Sequence, residues 1–109
     1  MIKAPGSPAP LQTIESEIER HAKHILTEYL VDSCVKVVAE QAEGRMQIGY
    51  GIRRGNDFIV IRKPYRAVDE THYEATEERW TLEMDNKIIG DGFFEMEAAL
   101  DAAGIFKRT

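Results

Sequence analysis

The sequence predicts a single α+β domain, and three observations carry that expectation. Apolar residues recur at three-and-four spacing after residue 10 and again from residue 96, the period changes to two between 45 and 61, and a 109-residue chain that is 43% apolar can build one core. The expected architecture is an N-terminal amphipathic helix, or two, a four-stranded antiparallel sheet and a short C-terminal helix. One domain is expected over 11–109, behind a flexible proline-rich lead-in at 1–10.

Pro5, Pro8 and Pro10 interleaved with Gly6 and Ser7 deny the lead-in regular structure. Leu11, Ile14, Ile18, Ala22, Ile25 and Tyr29 then mark one face of a helix, with Pro10 in a first turn that needs no amide hydrogen. Residues 31–43 can be read two ways. Leu30, Cys34, Val38 and Ala42 suit a continuing helix, whereas Val35, Val37 and Val38 suit a strand. The helix reading is preferred, because good helix formers run from Ala39 to Glu43 and Gly44 can end them.

Beyond Gly44, Ile48, Tyr50 and Ile52 alternate with Gln47, Gly49, Gly51 and Arg53, and Gly55-Asn56 separates this run from Phe58-Ile59-Val60-Ile61. A β-hairpin follows, with Ile52 opposite Ile59 and Tyr50 opposite Ile61 on a core face. Gly51 opposite Val60 and Gly49 opposite Arg62 make up the second face. Pro64 is expected to end the second strand or mark an edge. A polar connection through Asp69-Glu70-Thr71 leads to a strand near 76–84, Asp85-Asn86 turns the chain, and 87–94 returns as the fourth strand. Met96, Ala99, Leu100 and Ala103 form the stripe of the last helix, which Gly104 ends.

Charge is segregated along the chain. Residues 45–66 hold six basic side chains against one acidic, whereas 1–44 hold four against seven and 67–109 four against eleven, within a net charge of −5. The hairpin's second face is therefore the main candidate site: Arg53, Arg54, Phe58, Arg62, Lys63 and Arg66 combine cations with an aromatic ring beside two flattening glycines, as single-stranded nucleic acid requires. The competing reading is structural. Glu74, Glu77, Glu78 and Glu83 of the next strand can pair with these cations across the sheet. The acidic remainder suits either a solvated surface or occupation of a partner's cationic groove.

Other candidates carry less weight. Glu17, His21, His24 and Glu28 share a helical stripe of donor types that a divalent metal takes, yet they equally make ordinary helix-surface pairs, so no metal or cofactor is assigned. Cys34 reads as a small core residue, and His72 as incidental to its loop. Asp91, Glu95 and Glu97 suit the start of the last helix better than acid–base chemistry. No nucleophile elbow, phosphate-binding glycine loop or zinc spacing occurs, and no motif assigns a family. A lone cysteine, a start without a signal-like apolar run and the lack of any 18-residue apolar stretch lead to the expectation of a cytoplasmic protein with no membrane association.

The function expected is a non-enzymatic interaction or regulatory module that engages a macromolecule through charged surfaces, a protein in preference to nucleic acid. A binder of single-stranded nucleic acid through hairpin 45–66 ranks second, and a small enzyme or metal-binding protein third. Trp80, Leu82, Met84, Phe93 and Phe94 can cover one sheet face, and core packing is their preferred use, with a homodimer the alternative if they exceed what two helices bury.

Overall fold

The computed structural model describes residues 8–42, 44–76 and 79–108, so the expectation for residues 1–7 lies outside the described residues. The elements run β1 (Ala9–Pro10), α1 (Leu11–Glu28), β2 (Ser33–Ala42), β3 (Arg45–Arg54), β4 (Asp57–Ala67), β5 (His72–Ala75), β6 (Trp80–Met84), β7 (Lys87–Phe93) and α2 (Met96–Ala102). Among the described residues strand exceeds helix by 52% to 26%, so the expected α+β class with four strands is corrected to a mostly β one. Among the described residues, seven strands form a curled antiparallel sheet, a half-barrel, accompanied by the N-terminal helix and the short C-terminal one.

The largest correction falls on 31–43, where the expected second helix is strand β2. The β-branched cluster Val35, Val37 and Val38 decides it, because β3 supplies a full ladder from Ser33↔Arg53 to Ala42↔Arg45. Tertiary pairing overrides the helix propensity of Ala39 to Ala42. Gly44, at φ 75, turns a hairpin rather than ending a helix, and either role needs a residue that tolerates positive φ. Pro64 does not end its strand. It falls within β4 in the break between that strand's two partners on one side, β6 at 59–62 and β5 at 65–67, where an irregular ladder tolerates a proline. The polar connection is shorter than expected, since His72–Ala75 form β5, which pairs with both β4 and β1.

The β3–β4 hairpin has the register that its alternation predicts, with Tyr50↔Ile61, Gly51↔Val60 and Ile52↔Ile59. Its inner row, Ile48, Tyr50, Ile52, Ile59 and Ile61, is almost entirely removed from water. The α1 stripe Ile14, Ile18, Ala22 and Ile25 packs into the same core, as do Met96, Ala99 and Leu100 of α2. At about 1.5–3 kcal/mol for each large side chain so buried, this core is the main stabilising term. Gly49 lets β3 and β4 approach closely: a Cβ there would run into the Ile61 carbonyl and the Arg62 backbone. Asp85 and Asn86, both at positive φ, turn β6 into β7.

A clasp closes the chain ends. Leu30 N–H donates to the Phe106 carbonyl at 2.9 Å and Arg108 N–H to that of Glu28 at 2.7 Å, which ties the last residues to the end of α1. No helix among the described residues is long and apolar enough to cross a membrane.

Two glycine substitutions separate packing from backbone strain. Gly49→Ala must displace backbone and is expected to cost about 3 kcal/mol or more. Gly55→Ala meets open space and carries only the left-handed conformation at φ 60, about 1–2 kcal/mol. Urea unfolding midpoints of the two variants measure the difference, and equal losses would contradict the close approach at Gly49.

Candidate functional site

The strand alternation divides the six hairpin candidates between two faces. Arg53, Phe58, Arg62 and Arg66 lie on the outer face, opposite the helices, whereas Lys63 stands on the inner one, between Ile61 and Tyr65. Arg54 turns to the C-terminal end of α2, where its Nη1 donates to the Ala103 carbonyl at 2.8 Å and its Nη2 lies 3.4 Å from Asp57. Arg62 is paired with Glu83 at 2.7 Å and Arg66 with Glu74 at 2.6 Å. Glu77 and Glu78 lie outside the described residues. Cross-strand pairing thus engages two of the outer arginines. Arg53 differs: its guanidinium sits 5.6 Å from the centre of the Phe58 ring, and among the described residues it forms no ion pair.

One row of the outer face is apolar apart from Glu83, and Gly51 and Val60 within it are themselves buried. Val35, Gly51, Val60, Glu83 and Ile88 are successive partners across β2, β3, β4, β6 and β7, and Phe58 lies over Gly51. Both helices bury their apolar stripes on the other side of the sheet, which leaves Val35 56%, Phe58 37% and Ile88 65% exposed. Gly51 could not carry a side chain without pressing on Val37, whose methyl a Cβ would meet at 3.0 Å.

On the inner face the sheet gathers a second group that the sequence reading passed over. Lys63 Nζ stands 5.0 Å from the Trp80 ring centre and 5.8 Å from that of Tyr65. Trp80 is 6.0 Å from Tyr50, whose hydroxyl is in hydrogen-bond contact with His21 Nδ1 at 3.0 Å. Burial lowers the proton affinity of Lys63. It raises that of Tyr65, with Glu17 contributing, and that of Tyr50, with smaller contributions from Tyr65, Cys34 and Glu97. The overlooked signal was parity, since residues 61, 63 and 65 share one face of a strand.

The remaining candidates have local roles. In the helical stripe, His21 is engaged by Tyr50 and His24 Nε2 lies 3.2 Å from Glu28, and no group of three metal-ligating side chains converges among the described residues. His72 N–H and Thr71 N–H both donate to Asp69 Oδ1 at 2.8 Å, backbone bonds that hold the Asp69 carboxyl down at about 2. Glu97 lies in the first turn of α2; Glu95 precedes that helix without a side-chain cap, and Asp91 is exposed on β7. Phe94, 77% exposed, lies beneath the Arg79 guanidinium, whereas Trp80, Met84 and Phe93 pack against the core.

Cys34 is buried on β2, which pushes its thiol up to about 12. It should therefore ignore a disulfide reagent at neutral pH in the folded protein and react once the chain is unfolded; fast native reaction would refute its burial. Lys63 has a folded-state proton affinity below its ordinary value of about 10.4, so the unfolded chain binds more protons as pH rises through that interval. Wild type should therefore gain stability relative to Lys63→Met between neutral pH and about pH 10, read from urea midpoints at both. A pH-independent difference would contradict the sheltering of the amine.

Searching the curated proteins finds no match to this chain. A family model does match residues 9–103, from β1 to the end of α2, and on that extent the chain belongs to DUF5634, a family of unknown function.

Proposed function

We propose that the protein is a non-enzymatic interaction module whose docking surface is the outer face of its sheet, and that the occupant is an extended protein segment carrying an apolar side chain beside a carboxylate. The observation that carries this reading is the exposure of Val35, Phe58 and Ile88 on the face away from the helices, with the Arg53 guanidinium against Phe58 and no carboxylate paired to it among the described residues. An apolar strip beside a cation is complementary to such a segment. Apolar contact supplies affinity, and the charge sets orientation and on-rate. Occupation of a surface is the whole mechanism, without bond chemistry. The module is proposed to act in the cytoplasm, where a single thiol needs no partner.

Single-stranded nucleic acid is the less favoured occupant. Arg62 and Arg66 are engaged by carboxylates, Arg54 by α2 and Asp57, and Lys63 belongs to the other face, so little free positive charge remains on a chain of net charge −5. A second copy of the chain competes for the same strip, since Ile88 and Ile89 are exposed on β7, which among the described residues pairs only with β6.

Selection of a random peptide library on the immobilised protein tests this reading. Enriched peptides should place an acidic residue beside an aliphatic or aromatic one, and Arg53→Glu or Val35→Asp should each weaken them about tenfold, roughly 1.4 kcal/mol. Absence of enrichment, or affinity indifferent to both variants, would overturn the proposal. Retardation of a labelled single-stranded oligonucleotide at low salt would replace it with nucleic-acid binding. A dimer by sedimentation that Val35→Asp dissociates would replace it with self-association.

A further inference from the structure

Among the described residues, sheltered cations are paired, with one exception. Lys36 meets Glu19 at 2.7 Å and Glu15 at 3.7 Å, Arg54 meets Asp57 and the Ala103 carbonyl, and Arg62 meets Glu83. Lys63 is comparably sheltered, yet among the described residues it has no carboxylate and no hydrogen-bond acceptor, only the rings of Trp80 and Tyr65. Ring faces return part of the cost of desolvating an ammonium, and they leave its three donors to solvent with no protein acceptor among the described residues. We propose that Lys63, Tyr65 and Trp80 form a binding site for a small monocarboxylate carried on a flat apolar body, independent of the outer docking face. The carboxylate would take a charge-assisted hydrogen bond from Nζ in a partly water-excluded place, and the rings would cover the apolar body.

The surroundings limit the charge of the ligand. Glu17 of α1 acts on Tyr65, Glu97 of α2 acts on Tyr50, and His21 of α1 holds the Tyr50 hydroxyl. Carboxylates that act on two of the neighbouring rings favour a single negative charge over a phosphate dianion or a polyanion. Lys63, Tyr65 and Trp80 are half-buried and His21 is exposed, while Tyr50 forms the buried floor. A ligand can therefore reach the amine without opening the core.

Trp80 is the chain's single tryptophan, so its emission reports the site directly. Wild-type protein is titrated with benzoate, phenylacetate and hexanoate up to about 10 mM, the range that ligands of so few atoms demand. Benzamide and phenyl phosphate serve as controls. At least one carboxylate should change Trp80 emission saturably, bind about tenfold more weakly to Lys63→Met, and exceed both controls. Chemical-shift changes in the wild type should centre on residues 63, 65 and 80, which keeps the test decisive even where the variant folds poorly. The assignment is overturned by the absence of a saturable change with all three carboxylates, by equal binding of benzamide, by tighter binding of phenyl phosphate, or by shifts centred elsewhere. Arg53→Glu should leave this titration unchanged, so failure here and failure of the outer-face reading are distinguishable.

Discussion

Burial of the inner row of the β3–β4 hairpin is the constraint on which the other elements depend. Ile48, Tyr50, Ile52, Ile59 and Ile61 form an apolar surface that one hairpin cannot hide by itself. On one face of the sheet, helix α1 covers it over β2 and β3 and α2 over β4, β6 and β7, while β2 extends it along one edge and β6 with β5 along the opposite edge. Because side chains alternate along a strand, this single requirement also determines what faces outwards. Gly49 and Gly51 acquire their roles from it, the first by admitting a close backbone approach and the second by lying under Phe58.

The charge segregation of the sequence resolves into three separate uses. Arg62 and Arg66 bind the sheet to β6 and β5 through Glu83 and Glu74, Arg54 fastens the hairpin to the end of α2, and Arg53 remains at the outer surface with Phe58. Three of the six basic residues in the block therefore join elements within the fold. Lys63 belongs to none of these uses. Its place among aromatic rings follows from being two residues from Ile61 on the same face of the strand.

Legibility differed between the elements for identifiable reasons. The hairpin register was readable because an uninterrupted period of two flanks a two-residue turn, so one pairing satisfies both strands. Helix α1 was readable because its stripe lies on one face from Ile14 to Ile25. Strand β2 was misread because Ala39 to Ala42 favour helix in isolation and become strand only when β3 lies beside them. The short β5 and the two-residue β1 have almost no local signal, and each exists through its partners. Of the candidate residues, Arg53 and Phe58 come together as expected, while Arg54 and Lys63 leave the group.

By itself, the sequence determined where apolar surface must be buried, through the 3.6-residue and two-residue periods, and where the chain must turn, through glycines and the Asp85-Asn86 pair. Tertiary structure alone decided the class, the extent of the sheet and the fate of each charge. Strand propensity is weak until a neighbouring strand is present, and an ion pair between residues far apart in sequence, such as Arg62 and Glu83, depends on a register and a face that no local pattern specifies.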